Sequence, residues 1–445
     1  MTMKAGQTRY VQVTAGMLLI VVAWSFAWPV YRAFLNVQID GNEGWNAYFA
    51  DAAMGKMPLY PSPDHLITNN YPPLSFYIVG VVGRLVGDPV LAGRLLSIIA
   101  VVAISGAIAL AVRQFRGGGL AAGVSALFFA GTMNQFATGY VGMNDPQLLG
   151  QAIMSFGFVG FLVARSNDRG YAWPILMMVL AGFVKHNIIA MPLTSLVWLG
   201  LHRPRQAVRC FCVAAMAIAV GFSLCYARFG RDFFVNLLCP RALSWSGVLV
   251  GVLKLAPLAV GLLVCLYNGW VNRRDGAVQL CNYFIGIALA SYLFQKSDLG
   301  VDKNAQFDLM IAVSLGLGLA LRDVSLGPIS RLFRAETALA TLLLVVCVQL
   351  MTAGEFRSFR LIFDSSLQKE IAAKEQAMID CIEHVQKIRG DVLCSTLVGY
   401  RAGKRLVVDD FNAGRRMSAG TLPKDAVSAR VAKGTLTIVE PCGRW

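Results

Sequence analysis

Charged residues are scarce in this sequence: only 15% of its 445 residues are Asp, Glu, Lys or Arg, whereas 56% are hydrophobic. A typical soluble domain contains about 25% charged residues, and its apolar residues do not form long runs. The composition therefore excludes an ordinary water-soluble globular protein. The formal net charge of +15 does not indicate a nucleic-acid-binding protein in this setting, because basic loop residues set the topology of membrane proteins.

Metal-binding cysteine patterns are also missing. The chain has ten cysteines but no Cys-x-x-Cys pair and no cluster of cysteine with histidine. Most of the cysteines lie in or beside apolar runs, where a thiol acts as a small apolar side chain. Cys381, Cys394 and Cys442 follow the last run. If this part of the chain lies in an oxidising compartment, one disulfide can form among these three, and the spacing does not select the pair.

A cleavable signal peptide and an internal repeat are absent as well. The first apolar stretch, Val11–Val30, is longer than the apolar core of a signal peptide, and no small-residue cleavage site follows it. It is therefore predicted to be the first membrane span. Without a repeat, nothing in the sequence indicates two related halves.

The sequence contains instead a series of long apolar runs. Five clear examples are Val11–Val30, Leu91–Val112, Val208–Ala227, Ala277–Phe294 and Thr337–Met351. About twenty helical residues cross a hydrocarbon layer of about 30 Å, and a helix satisfies its own backbone hydrogen bonds in lipid. The predicted fold is an all-α polytopic membrane protein with about eleven transmembrane helices.

The distribution of Lys and Arg predicts the topology. Basic residues such as Arg113, Arg165 and Arg203 follow apolar runs, and the intervening loops hold most of the loop Asp and Glu. The basic loops can share one side only if segment 74–87, which is short and carries Arg84, does not cross. We interpret this segment as an interfacial or re-entrant helix. The N-terminus is then cytoplasmic and the C-terminus periplasmic, in a bacterial inner membrane. A crossing at 74–87 would invert everything after it.

Two regions are predicted: a transmembrane region of residues 1–353 and a periplasmic C-terminal domain of residues 354–445. The first periplasmic loop, 36–88, is expected to contain juxtamembrane helices. The C-terminal region shows a charged helical pattern over 363–389, strand-like segments at 392–398, 406–408 and 435–439, and a helix around 422–433. This order predicts a small α/β domain.

The first loop is the richest polar region and offers two carboxylates, Asp40 and Glu43. Asp followed three residues later by Glu is an ordinary helix start, and the spacing alone favours that structural role. The alternative is a carboxylate held at the membrane surface as a general base. One residue can do both, since a cap fixes the geometry that a base needs. Asp145, which precedes a proline, is likewise a common cap.

Lys185, His186 and Asn187 form a hairpin between two apolar runs of only about fourteen residues, which are short for full spans. The hairpin is therefore expected to dip below the membrane surface. Positive charge at that depth is costly unless an anion meets it; a lysine that snorkels to the surface is the alternative. Loop 295–304 is interpreted as solvated, and Arg241 as a contact for lipid head groups.

Three motifs carry a family resemblance. They are Asp-x-x-Glu-Gly-Trp-Asn-Ala-Tyr from Asp40, Tyr-Pro-Pro-Leu-x-Phe-Tyr from Tyr71, and Gly-Arg-Leu from Gly93. Together they resemble the glycosyltransferase C superfamily, in particular bacterial members similar to aminoarabinose transferases, protein O-mannosyltransferases and rhizobial lipopolysaccharide galacturonosyltransferases. The resemblance covers residues 10–200, and the C-terminal region resembles the small periplasmic unit of many members.

The resemblance implies a membrane glycosyltransferase that moves a sugar from a polyprenyl-phosphate donor to an envelope acceptor, which is a lipid, a polysaccharide or a protein. It implies inverting transfer on the periplasmic face, with a first-loop carboxylate as the base. Asp40 is the first candidate and Glu43 the second. The family often has Asp and Glu adjacent, whereas Gly41 and Asn42 separate them here, so the choice between the two carboxylates stays open.

The remaining candidate residues follow from the same resemblance. Those for stabilising the phosphate leaving group are Lys185, His186, Lys56 and Arg84. Those for binding the substrate are Asn46, Tyr48, Asn69, Asn70, Tyr71 and Asp145. A divalent cation is allowed but not required, because two carboxylates in one loop are too few to argue for a metal site.

Two other functions compete with the transferase. A transporter or flippase of a lipid-linked sugar is expected to show mid-span charge, inverted repeats and broken helices. The sequence has no evident repeat, and almost all of its charge lies in loops, with Lys254 as an exception. A structural role in an envelope complex is the third hypothesis, against which the polar first loop argues only weakly.

Overall fold

The structure is a computed structural model, which describes residues 5–241, 243–298, 300–323, 335–352 and 357–440. It is mostly helical and has one small sheet. The helices are α1 (Ala5–Ser25), α2 (Ala27–Ala33), α3 (Gly41–Ala53), α4 (Leu74–Val86), α5 (Pro89–Gln114), α6 (Gly119–Phe136), α7 (Pro146–Asn167), α8 (Ala172–Val184), α9 (Ala190–His202), α10 (Pro204–Phe229), α11 (Arg231–Leu237), α12 (Trp245–Leu253), α13 (Ala259–Val271), α14 (Gly276–Lys296), α15 (Phe307–Asp323), α16 (Ala335–Thr352), α17 (Arg357–Phe363), α18 (Ser365–Lys387), α19 (Thr396–Arg401), α20 (Asp410–Ser418) and α21 (Ala426–Ala432). The strands are β1 (Asp391–Leu393) and β2 (Leu436–Ile438).

Within the described ranges, seven helices are long and apolar enough to cross a membrane. An eighth is added if Ala340–Thr352 and Arg357–Phe363, bent by 63°, form one span. The chain is therefore a multi-pass membrane protein. The predicted count of about eleven crossings also included α6, α8 and α9, which are helical but are not among the seven. That count stays a prediction.

The spans differ in how deeply they are buried. Lys303–Arg322 has 89% of its apolar window inside the protein, whereas Pro204–Phe229 has only 11%. The first is the centre of the bundle, and apolar side chains cover most of the second on its outer surface. A helix that exposes apolar side chains in this way is suited to face lipid, since lipid tails solvate them as well as a protein core does.

Aspartates begin several of the helices. Asp88 accepts a hydrogen bond from the Val90 N–H at 2.9 Å, and Asp145 accepts one from the Gln147 N–H at 2.8 Å. Each aspartate is followed by a proline at the first helical position, where the missing N–H of proline costs nothing. These caps fix the ends of α5 and α7 that face the first loop.

Segment 74–87 forms α4, a helix of 13 residues that follows Pro72-Pro73 and ends at Gly87, whose φ is 86°. Thirteen residues span about 20 Å, which is less than the hydrocarbon layer. The length thus agrees with the predicted interfacial or re-entrant helix, and its placement in the membrane stays a prediction. α4 packs against α3 and α5, so it contacts the part of the first loop that forms α3.

The C-terminal region differs from its predicted pattern in two places. The helix at 363–389 is present as α18, and β1 pairs in parallel with β2. However, the strand predicted at 392–398 ends at Leu393, and residues 396–401 are helical. Segment 406–408 belongs to no strand. Its apolar side chains instead pack against Leu66 of the first loop, so a tertiary contact outweighs their strand preference.

The first loop and the C-terminal region share buried clusters. Ala47 and Val90 pack with Met378 and Leu397. The division at residue 353 into two domains therefore stays a prediction. Cys381 is disulfide-bonded and Cys394 is a free thiol, whereas Cys442 lies outside the described residues.

Candidate functional site

A cavity of about 540 Å³ lies where four parts of the chain meet. These parts are the first loop around Asp40 and Tyr71, the Lys185 hairpin, the loop after α14, and the C-terminal segment from Leu393 to Arg415. Charged and amide side chains from all four parts line it. Long helices separate these parts in the sequence, and the fold brings their polar side chains together at one cavity.

Asp40 lines this cavity and is the N-cap of α3. Its carboxylate accepts a hydrogen bond from the Asn42 N–H at 2.9 Å, which fixes its direction. Partial burial raises the pKa of Asp40 above its usual value, and the Asn42 hydrogen bond opposes the rise. The carboxylates of Asp145, Glu43 and Asp302 raise this pKa further. Asp40, which was predicted as a helix cap, is thus also a carboxylate of the cavity lining.

Glu43 has a different environment, because its side chain is completely buried. Its Oε1 accepts from Nε of Arg94 at 2.8 Å, and its Oε2 accepts from Nη2 of Arg94 at 2.8 Å. The Ile39 N–H also donates to Oε2 at 2.8 Å. Both oxygens are occupied by this fork-shaped ion pair, and Glu43 does not line the cavity.

Besides pairing with Glu43, Arg94 binds the backbone at the start of the first loop. Its guanidinium donates to the carbonyl oxygens of Leu35 at 2.7 Å and Val37 at 2.6 Å. One buried cation therefore fixes the backbone just before Asp40 and the helical turn just after it. The arginine of the Gly-Arg-Leu motif therefore has a structural role in this chain.

We expect Glu43→Gln to lower the stability of the protein by about 3 kcal/mol, because it leaves the Arg94 charge buried without a counter-charge. Thermal unfolding of the purified protein in detergent measures the effect. Glu370→Gln is the matched control, since Glu370 pairs with Lys374 on an exposed helix surface and such pairs contribute little. Equal unfolding temperatures for the two variants would contradict this role of Glu43.

Asn144 joins the second loop to the first. The Asn46 amide donates to the Asn144 carbonyl oxygen at 2.7 Å, and the Asn144 N–H donates to Glu43 at 3.3 Å. A Cβ on Gly93 would lie 1.9 Å from the side-chain oxygen of Asn144, so only glycine fits there. These contacts place Asp145, which is 8% exposed, close enough to act on the charges of Asp40 and Lys185.

Lys185 lines the cavity although only 2% of its surface is exposed. Its ammonium lies 3.4 Å from the centroid of the Tyr71 ring, a cation–π contact. No carboxylate of the described residues forms an ion pair with it at hydrogen-bond distance. Burial lowers the pKa of Lys185 to about 8; Arg241 acts in the same direction and Asp145 against it. The hairpin thus presents a poorly compensated cation to the cavity.

His186 and Arg241 extend this side of the cavity. Nη2 of Arg241 lies 3.4 Å from Nε2 of His186, and Nδ1 of His186 is buried without a partner in the described chain. Burial, Lys185 and Arg241 lower the pKa of His186 to about 4. His186 is therefore neutral at physiological pH, and Arg241 is the second cation beside Lys185. Arg241 also lies 3.6 Å from Asp298.

Several predicted residues have structural contacts away from the cavity. Lys56 forms an exposed pair with Asp51 at 2.9 Å, and Arg84 donates to the Met54 carbonyl oxygen at 2.8 Å. Tyr48 is buried and donates to the Lys404 carbonyl oxygen at 2.7 Å. The structure does not bring these three candidates to the cavity lining.

The four remaining candidates lie around the first loop. Asn70 and Tyr71 line the cavity. Asn69 is buried and uses its amide to hold the loop, donating to the Leu59 carbonyl oxygen at 3.0 Å. Asn46 is held by Asn144 and lies, like Asn69, beside a smaller adjacent pocket.

Three residues that line the cavity were not recognised as candidates from the sequence. Asp298 is only 4% exposed and is paired with Arg415 and Arg241, although its loop was predicted to be solvated. Phe411 and Arg415 belong to α20 and stack on each other, with the guanidinium 4.9 Å from the ring centroid. No local pattern marks Asp298 and Arg415, because they pair with each other across 117 positions of the sequence.

Within the described ranges, no group of three or more His, Cys, Asp or Glu side chains is arranged to hold a metal ion. Four aspartates line the cavity, Asp40, Asp298, Asp302 and Asp410, but the described side chains do not bring three of them together as the ligands of one metal ion.

Comparisons with known proteins agree with the predicted family. A family model for dolichyl-phosphate-mannose-protein mannosyltransferase matches residues 70–227. The crystal structure of ArnT from Cupriavidus metallidurans in the apo state is 13% identical; the match covers 94% of this chain and 89% of that one, with a TM-score of 0.60. ArnT bound to undecaprenyl phosphate is 14% identical, with 93% and 88% coverage and a TM-score of 0.58.

An archaeal oligosaccharyltransferase from Archaeoglobus fulgidus matches at 12% identity, with coverage of 90% of this chain and 65% of that one and a TM-score of 0.49. No curated protein sequence matches the chain. The chain has the ArnT fold, and its residues 70–227 resemble the mannosyltransferase family, in agreement with the resemblance noted in the sequence.

Proposed function

We propose that this chain is a membrane glycosyltransferase that moves a sugar from a polyprenyl phosphate to an acceptor of the bacterial cell envelope. One observation carries the proposal: a cavity at the end of the spans has a capped carboxylate, Asp40, and a buried, poorly compensated cation, Lys185, in its lining. ArnT, whose fold the chain shares, has been crystallised with undecaprenyl phosphate. An anionic lipid phosphate supplies the counter-charge that Lys185 lacks among the described residues.

Lys185 and Arg241 are the proposed phosphate-binding residues. A sugar phosphodiester carries one negative charge, and a second one develops on the phosphate as its bond to the sugar breaks. Lys185 is only 2% exposed, and a cation held away from water stabilises that developing charge strongly, whereas the half-exposed Arg241 contributes less. His186, which is neutral, contributes a hydrogen bond at most, and the surface residues Lys56 and Arg84 have no part in this step.

Asp40 is the proposed general base. It takes the proton of the acceptor hydroxyl or amine, whose oxygen or nitrogen then forms a bond to the anomeric carbon. The bond from that carbon to the phosphate oxygen breaks, and polyprenyl phosphate leaves with the electron pair. A single displacement of this kind inverts the anomeric configuration. The raised pKa of Asp40 makes it a better proton acceptor. Glu43, whose oxygens are both used by Arg94, positions the loop instead.

The proposed orientation follows from the same assignment. Polyprenyl-linked sugars are used on the periplasmic face in the resembling enzymes, so the cavity and the C-terminal region are placed there. The disulfide at Cys381 supports this orientation, because disulfides persist in oxidising compartments. The N-terminus is then cytoplasmic if the number of crossings is odd.

Analysis of envelope glycans and lipid intermediates in a deletion strain tests the function. We expect the deletion to lose one envelope sugar and to accumulate its polyprenyl-phosphate form on the periplasmic face, and wild-type complementation to restore the glycan. Accumulation on the cytoplasmic face would indicate a flippase instead. An unchanged set of glycans and lipid intermediates would contradict both functions.

A further inference from the structure

A small side pocket of about 40 Å³ adjoins the main cavity. Five lining residues are common to both: Asn42, Trp45, Asn70, Tyr71 and Phe411. A volume of this size holds one or two water molecules. It is therefore too small for a sugar ring but has the size of a single ring substituent, such as a hydroxyl, amino or hydroxymethyl group.

Two residues of the side pocket contact the two groups that the proposed reaction uses. Its wall residue Asn42 donates its N–H to Asp40 at 2.9 Å, and its wall residue Tyr71 holds the Lys185 ammonium at 3.4 Å. In a single displacement the sugar lies between the phosphate and the acceptor that the base activates. A sugar ring that lies between these two groups in the main cavity therefore borders the residues that the two pockets share.

Asp409 gives the side pocket its chemical character. It is only 2% exposed and caps α20, accepting hydrogen bonds from the backbone N–H of Asn412 at 3.1 Å and from its amide at 2.5 Å. The Thr68 N–H also donates to this carboxylate. Since a carboxylate accepts about four hydrogen bonds, capacity for one more remains. None of the described Lys, Arg or His side chains forms an ion pair with it at hydrogen-bond distance.

Other polar groups of the pocket are also incompletely bonded. The indole N–H of Trp45 is buried and finds no acceptor among the described residues. The Asn70 amide reaches Asn412 only at 3.5 Å, the limit of a hydrogen bond. Burial raises the pKa of Asp409 to about 6, so the carboxylate is mostly ionised at neutral pH. A buried carboxylate without a cationic partner is costly even when it accepts hydrogen bonds, and one further donor from a ligand would offset part of that cost.

We propose that the side pocket selects the transferred sugar by one substituent, a hydroxyl, hydroxymethyl or amino group that donates a hydrogen bond to Asp409. This inference rests on the proposed transferase function and narrows its substrate class. A sugar that carries a carboxylate at the same position is rejected, because two like charges would meet where water cannot screen them. The donor is thus a neutral or amino sugar rather than a uronic acid.

Binding of matched donors to the full-length protein in nanodiscs tests the inference. The probes are synthetic polyprenyl-phosphate conjugates of glucose, galactose and mannose, the uronic acid of each, and polyprenyl phosphate alone. We expect at least one neutral conjugate to bind about tenfold or more tightly than its uronic acid, since a site that bonds a hydroxyl discriminates strongly. Asp409→Asn should abolish that preference, and Asp425→Asn, which alters the residue that precedes α21 at the surface, should retain it.

The variants separate the possible failures. Trp45→Phe removes the indole N–H without touching Asp409, and we expect weaker binding of the preferred conjugate relative to polyprenyl phosphate alone. This variant serves as the test if Asp409→Asn does not fold. If neither the lipid phosphate nor any conjugate binds the wild-type protein, the transferase proposal fails. If the lipid phosphate binds but every neutral and uronic pair binds equally, or if the preference survives Asp409→Asn, the side-pocket proposal alone is overturned.

Discussion

Asp40→Asn is expected to reduce sugar transfer by about 10²–10⁴-fold, the usual contribution of a general base, while the protein folds normally. Asparagine caps a helix about as well as aspartate, so the hydrogen bond from the Asn42 N–H that begins α3 can persist. The amide, unlike the carboxylate, cannot take a proton from the acceptor. The measurement is transfer from a polyprenyl-phosphate sugar by the purified protein, together with the donor dissociation constant, which should change little.

Asp88→Asn is the matched control, because Asp88 also caps a helix and also accepts from the second N–H after it, but does not line the cavity. Asp88 also forms an ion pair with Arg401. Its substitution therefore removes an interaction that Asp40 does not make, so a stable Asp88→Asn variant is a strict control for stability. We expect it to retain transfer. If Asp40→Asn and Glu43→Gln both transfer sugar at the wild-type rate, neither first-loop carboxylate is the base.

The architecture was largely predictable, because long apolar runs leave few alternatives in lipid. The short helix α4 was predicted from its length and the prolines before it, both of which are local features, and its place in the membrane stays a prediction. The strands predicted at 392–398 and 406–408 were wrong in part for the opposite reason. Val407 and Val408 have strand preference, but the contact that uses their side chains is with Leu66, which no local pattern reveals.

The two first-loop carboxylates show the same limit of prediction from local sequence, here within the candidate site. Asp40 and Glu43 are indistinguishable in a sequence that contains both as parts of one helix start. What separates them is Arg94, which reaches Glu43 from α5 and leaves Asp40 facing the cavity. The sequence predicted the first-loop segment, and the Arg94 contact supports the proposal of Asp40 rather than Glu43 within it.

Lys185 was predicted from the expected depth of its hairpin in the membrane rather than from a sequence motif. The short runs around Lys185 indicated a buried hairpin, and Lys185 is indeed buried within the cavity lining. Lys56 and Arg84 were selected only because they lie in the first loop, and their partners, Asp51 and the Met54 carbonyl oxygen, are local. Arg241 reaches the cavity through the fold of α10 and α11, which the sequence pattern does not describe.

Lys185→Met is expected to lower transfer by about 10²–10³-fold, because it removes a charge that opposes the developing phosphate dianion in a poorly hydrated cavity. Methionine keeps most of the apolar stem, so the packing beneath Tyr71 is largely preserved. Lys56→Met, which removes an exposed lysine paired with Asp51, should leave transfer unchanged. Rates for the two variants at saturating donor, and their donor dissociation constants, separate an effect on the reaction from an effect on binding.

The pH dependence distinguishes this role from a structural one. Lys185 is charged below its pKa of about 8 and neutral above it, so kcat/KM for the donor should fall as the pH rises through about 8. The fall should be weaker in kcat, because a bound phosphate raises the pKa of the lysine. On the acid side, both parameters should fall as Asp40 becomes protonated, at a pH above that of an ordinary aspartate. Lys185→Met should lose the alkaline limb and keep the acid one. An alkaline limb that survives in this variant would show that another group binds the phosphate.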